Sequence, residues 1–174
     1  MLYKTCRIIL ALFVMIPLLP LHSAEAKTVS MTTNGAPLSF NIPDDWHSSG
    51  ISRGLEIKSP DDEIFLWVEA YNDPELDSIE QEHTKYFIEQ GIVTNGEPKI
   101  ESQDFDHYGL ASLHFSAQWN NKPTVLRYLM IVPKEAAASR LILSYWASPI
   151  ADKAYDGAVG SLIDSLATAL DSRH

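Results

Sequence analysis

The sequence predicts a layered α/β domain, a sheet covered on both of its faces, and three segments carry that expectation. Ile64–Tyr71 (IFLWVEAY), Thr124–Val132 (TVLRYLMIV) and Leu141–Trp146 (LILSYW) are apolar at both parities of a strand. A strand buried on one side alternates apolar with polar residues, whereas one that is apolar on both sides needs cover above and below. In Ile64–Tyr71, residues Ile64, Leu66, Val68 and Ala70 point one way and Phe65, Trp67 and Tyr71 the other. Two amphipathic helical stretches, at 78–90 and 149–170, are the natural cover.

In chain order, residues 1–26 come first, with the layout of a secretory signal peptide. Lys4 and Arg7 precede the apolar run Ile8–Leu21, and Ala24-Glu25-Ala26 supplies the small residues of a cleavage site after Ala26. A membrane-spanning helix needs about 20 apolar residues, and this shorter run is broken by Pro17 and Pro20. Residues 27–174 are then a single domain. The expected location is periplasmic or secreted, with no stable membrane insertion after cleavage. Cys6 is the single cysteine and lies in the leader, so thiol chemistry and disulfides are absent from the expected mature chain.

Lys27–Thr33 and Leu38–Ile42 read as strands around an Asn34-Gly35 turn. Pro43-Asp44-Asp45 ends the second, and Leu55 with Ile57 marks another short strand before Ser59-Pro60-Asp61-Asp62. After Ile64–Tyr71, a helix is expected from Asp77-Ser78, with Ser78 and Gln81 as a capping box. Its stripe is Ile79, His83, Tyr86 and Phe87, and Gly91 is its stop. Lys99–Asp106 and Leu110–Trp119 form a hairpin through His107-Tyr108-Gly109, where Gly109 is free to take a positive φ. Asn120-Asn121-Lys122-Pro123 turns into the next strand. The last helix opens at Ser148-Pro149, a capping serine with proline at the first helical position. Its stripe runs from Tyr155 through Leu162 and Leu166 to Leu170, and Gly157 and Gly160 are expected to bring it close to the sheet.

The 23 acidic and 13 basic residues give a formal net charge of −10. Such a surface repels phosphate backbones and anionic headgroups, which argues against nucleic-acid partners and peripheral membrane binding. Searches for chemistry return little. The Gly157–Ser161 segment lacks the G-x-S-x-G spacing of a nucleophile elbow. The histidines show no i, i+4 pair for a zinc site, and Asp61-Asp62-Glu63 lacks a calcium-loop pattern. No metal, cofactor or catalytic set is therefore expected. If Phe105 shares a face with Ala111 and Leu113, then Asp104, Asp106, Ser112 and His114 gather on the opposite one, a weak metal candidate at best. Glu69 is unusual as a charge in an apolar strand, and Arg127 is its expected buried partner.

Leu38–Trp46 (LSFNIPDDW), Leu55–Pro60 (LEIKSP), Ile64–Tyr71, Arg127–Val132 (RYLMIV) and Leu141–Trp146 stand in the order of small PsbP-like proteins. The chain resembles that group over Leu38–Leu170, and within it the DcrB-like exported proteins; the Ran-binding Mog proteins share the fold. The resemblance implies a central antiparallel sheet of about six strands flanked by helices on both faces. It also implies a mostly non-enzymatic role and provides no catalytic residues. The first functional expectation is an exported accessory protein that binds an envelope protein partner, with Trp46 and Trp119 as candidate exposed aromatics. Trp46→Ala would then weaken binding more than folding. The alternative is a small-ligand module whose pocket between sheet and helix is lined by Tyr71, Tyr86, Tyr128 and Tyr145. A third reading is a hydrolase with a Ser/His/Asp trio drawn from separate strands.

Overall fold

A computed structural model of the chain describes residues 25–135 and 139–171. The expected leader, apart from Glu25 and Ala26, lies outside them. Nine strands are described: β1 (Ala26–Thr33), β2 (Ala36–Pro43), β3 (His47–Ile51), β4 (Gly54–Lys58), β5 (Ile64–Tyr71), β6 (Ile92–Asp104), β7 (Tyr108–Trp119), β8 (Lys122–Pro133) and β9 (Arg140–Ala147). Three α-helices accompany them: α1 (Leu76–Glu89), α2 (Pro149–Ala154) and α3 (Asp156–Asp171). Seven strands form one antiparallel sheet in the order β3-β4-β5-β9-β8-β7-β6, and β1 and β2 pair as a separate hairpin. The fold is therefore richer in sheet than about six strands flanked by helices. The three two-faced segments are β5, β9 and β8, which are neighbours in the middle of the sheet. β5 and β9 have both faces covered, which accounts for their composition, whereas β8 is apolar on both faces but lines a cleft on the α1 side.

One face carries Ile64, Leu66, Val68, Leu141, Leu143 and Ile131 and is covered by the β1–β2 hairpin and α3. These two lie side by side, with the Asn41 N–H donating to Ser165 Oγ at 2.8 Å. The second layer is thus half strand and half helix, because Leu38, Phe40 and Ile42 alternate along β2 and bury just one side. Asn34 and Gly35 turn the hairpin with φ of 49° and 76°, the paired positive values that an Asn-Gly type I′ turn supplies. Asn120 and Asn121 do the same between β7 and β8, with φ of 50° and 62°. Several local expectations change. Gly109 does not take a positive φ, since Asp104 and Gly109 are paired ladder residues. Gly157 and Gly160 face open space and serve no close approach to the sheet. The capping box is not at Ser78: Asn72 N–H donates to the Glu75 carboxylate at 2.8 Å, and a short 3₁₀ turn leads into α1 one turn earlier.

Among the described residues, α1 alone covers the opposite face. Ile79 packs with Tyr71 and Ile142, and Phe87 meets Trp67 and Trp146 with ring centroids 6.1 and 6.4 Å away. The helix therefore runs along β5 and β9. Gly91, with φ 82°, then redirects the chain to the far edge, where β6 begins. A helix about 10 Å across spans roughly two strand spacings of about 4.8 Å, so one helix cannot cover seven strands. Among the described residues, no other element covers the outer part of β8, or β7 and β6, on this side.

One glycine is required by packing. Gly54 pairs with Glu69 in the β4–β5 ladder, and a Cβ there would stand 1.9 Å from the Val68 carbonyl oxygen. The obstacle is backbone at the centre of a sheet, which cannot swing aside. Gly54→Ala is expected to destabilise by at least the roughly 1–3 kcal/mol typical of overpacking. Urea titration of the two proteins checks this, and equal midpoints would contradict it.

Candidate functional site

The uncovered strip forms a cleft of about 570 Å³ between the flank of α1 and the sheet. Phe87, Ile88, Thr84 and Glu80 supply the helix wall, Leu113 and Phe115 of β7 with Leu126, Tyr128 and Met130 of β8 the floor, and Ile92–Thr94 the far end. The side chains reach it by strand parity. Leu113 opposes Tyr128 in the β7–β8 register, and Phe115 opposes Leu126, so all four share the α1 face. Ile88 and Val93 line the cleft although each is exposed, and Ile100, also exposed, continues the apolar surface opposite Leu113. A larger depression of about 670 Å³ follows the outer face of α1, but Asp77, Glu80, Gln81 and Lys85 line it and it is open to water. The cleft has the size and apolar lining of a small-molecule site.

A chain of polar groups runs from exposed Glu82 into the interior and reaches the cleft at His83 and Tyr128. Arg53 Nε donates to Glu69 Oε1 at 3.0 Å and Arg53 Nη2 to Glu82 Oε2 at 2.7 Å. Glu69 Oε2 lies 2.6 Å from His83 Nε2, and Ser144 Oγ 3.0 Å from His83 Nδ1. With Glu69 ionised, Nε2–H donates to the carboxylate and Nδ1 accepts the Ser144 hydroxyl. The Tyr128 hydroxyl completes the chain at Ser144; burial first, then the Glu69 and Glu80 carboxylates, holds it protonated far above the usual phenol range. Hydroxyl, imidazole and carboxylate in this order form the connectivity of a nucleophilic relay. Ser144, however, is 0% exposed and is not among the residues that line the cleft. What the chain of bonds does visibly is fasten α1 to the middle of the sheet.

Two expected groupings are not formed. Glu69 pairs with Arg53 and His83 instead of Arg127, because Glu69 faces α1 while Arg127 faces α2. There Arg127 Nη2 donates to Asp152 Oδ2 at 2.8 Å. Asp104 opposes Gly109, on the face of Ala111 and Leu113, while His114 opposes Arg127 on the other. The weak metal set in this hairpin is therefore split between the two sides of the sheet.

The candidate site residues separate likewise. Trp46 is 1% exposed, with its ring edge-on to Tyr155 at 5.6 Å, so it is core and presents no surface. Trp119 is 44% exposed, and its Nε1–H donates to the Gln90 carbonyl at the end of α1 at 2.9 Å. Of the four tyrosines, Tyr128 alone lines the cleft. Tyr71 is buried beneath the start of α1, its hydroxyl without a hydrogen-bond partner among the described residues. Tyr86 stacks on Phe65 at 5.8 Å, on the other side of the helix. Tyr145 lies on the opposite sheet face, where its hydroxyl donates to Asp152 Oδ1 at 2.9 Å. Parity in β9 could have excluded Tyr145, since Leu141, Leu143 and Tyr145 share one side. His83 and Ser144 were missed, although His83 follows Ile79 by four residues on the stripe that must face Glu69.

The chain is similar in fold to cyanobacterial PsbP (CyanoP) from Synechocystis sp. PCC 6803, known from a solution structure. The TM-score is 0.55 and the identity 9%, over 84% of this chain and 94% of that one. At that identity the likeness shows the fold alone, and the fold is PsbP-like. No protein-family model and no curated protein matches the chain. Among the described residues, no helix is long and apolar enough to cross a membrane.

Proposed function

We propose that this chain is a non-enzymatic, exported bacterial binding module that holds an apolar ligand in the cleft between α1 and β6–β8. The observation that supports this reading best is the cleft itself. Leu113, Phe115 and Met130, partly exposed, form an apolar floor beside buried Leu126 and Ile142, and Tyr128 lines it as well. Apolar side chains left uncovered on a sheet are costly in water, at about 25 cal/mol per Å². A ligand that covers them recovers that free energy without moving the sheet. Export is supported by the charged-then-apolar leader at residues 1–21.

The second reading is an accessory protein that docks an envelope protein partner. Ile88, Val93 and Ile100, together with half-exposed Trp119, favour it as exposed apolar residues. The two readings differ in what fills the cleft.

Titration of the purified protein with the neutral fluorophore N-phenyl-1-naphthylamine tests the first. One saturable site is expected, and Leu113→Trp, which fills the floor, should weaken it at least tenfold while the circular dichroism spectrum is kept. Equal binding by the parent and Leu113→Trp would place the fluorophore elsewhere and remove the cleft as the site.

A further inference from the structure

Resting on the cleft as the binding site, we infer that it selects a small amphiphile with a cationic head over an anionic one of the same chain length. Glu80 is the single Asp or Glu of the lining, and no Lys or Arg is among the lining residues; His83 also lines it, with both ring nitrogens taken by Glu69 and Ser144. An acid headgroup at this rim would stand beside the exposed Glu80 carboxylate with no Lys or Arg of the lining to pair with, and the like charges repel. A primary ammonium in the same place meets Glu80. The aromatic rings of Phe87, Phe115 and Tyr128 line the same cleft, and aromatic quadrupoles favour cations. Glu80 acts on this space directly, since its carboxylate is one of the charges that hold the Tyr128 hydroxyl protonated. That hydroxyl is then a neutral group, already bonded to Ser144, and unable to neutralise a carboxylate. The chain's net charge of −10 adds long-range attraction of the same sign.

The cleft and its charge preference are separable by displacement. N-phenyl-1-naphthylamine bound to the purified protein is displaced with dodecylamine, dodecanol or dodecanoate, each below its micelle concentration. Dodecylamine is expected to displace at a concentration at least fivefold below dodecanoate, with dodecanol between them. Glu80→Gln should shrink the amine-to-acid ratio by at least half, each ratio being taken against that protein's own affinity for the neutral fluorophore. Glu63→Gln, a carboxylate in the loop before β5, corrects for net charge alone and should leave the ratio in place. If the fluorophore finds no saturable site, the cleft reading fails and this inference with it. If it binds and the amine and acid displace equally, the cleft stands and the charge selectivity is overturned. A ratio unchanged in Glu80→Gln overturns the role of Glu80.

Discussion

Replacing Trp46 with alanine is expected to cost the fold about 3–5 kcal/mol, the range for removing a large buried aromatic. Against a total stability of about 5–15 kcal/mol for such a domain, much of the population would unfold at modest urea. The indole is 1% exposed and belongs to the cluster that joins the hairpin, α3 and the sheet. It meets Tyr155 edge-on at the α2–α3 break, and Tyr155 donates to Asp61 Oδ2 at 3.0 Å. Lys27 Nζ bonds the Trp46 carbonyl and closes the same corner from β1. Truncation would therefore leave a cavity where four segments meet, with little backbone freedom to fill it. Trp46→Phe should recover more than half of the loss. The cleft lies on the other side of the sheet, so the folded fraction of Trp46→Ala should bind N-phenyl-1-naphthylamine with parental affinity. A stable Trp46→Ala protein with weakened binding would reverse this assignment and restore Trp46 as a contact residue.

Much of the layering was legible because burial on two faces leaves a mark on composition. Ile64–Tyr71 carries that mark in full: its two parities point to the hairpin layer and to α1, as the alternation implied. Turns with Asn or Gly at positive φ were equally readable, at Asn34-Gly35 and at Gly91. β3 was not readable, because His47–Ile51 (HSSGI) is a short, largely exposed edge strand with no buried stripe to give it a period. The first half of β6, Ile92–Glu97, was missed for a similar reason: its register shifts between Asn95 and Lys99, and the alternation breaks with it. The pairing of Glu69 and the position of the cleft depend on strand order. Arg127 was a reasonable partner by composition, but which charges meet is decided by which face each occupies. The cleft is the space one helix fails to cover, and a property of what is missing from a layer leaves no motif in the residues around it. The tyrosines illustrate the limit. All four looked amphipathic and alike, and the topology sends one to the cleft and three to packing.

The second large effect is expected at His83, whose two ring nitrogens are both engaged in the interior. His83→Ala leaves the Glu69 carboxylate with Arg53 as its remaining partner and Ser144 Oγ without its imidazole contact, both in buried positions. Leaving a buried polar group without its hydrogen-bond partner costs about 1–3 kcal/mol, more for a charged group, and the cavity beside Trp67, 5.1 Å from the imidazole centroid, adds to it. Glu69→Leu alone should also destabilise, because it deprives both His83 and Arg53. Changing both to leucine should cost less than the separate Glu69→Leu and His83→Leu losses together. The uncompensated groups vanish in pairs, and Arg53, partly exposed, keeps Glu82 at 2.7 Å. A coupling of about 1–3 kcal/mol between the two sites is the expected reading of the double-mutant cycle by urea denaturation. Strict additivity would mean that Glu69 and His83 contribute through separate contacts. Because α1 is the wall of the cleft, His83→Ala should also loosen fluorophore binding, whereas the double-leucine protein should restore part of it. That parallel recovery of stability and binding distinguishes a fastening role for the relay from a chemical one. A chemical role would be lost in His83→Ala and stay lost in the double variant.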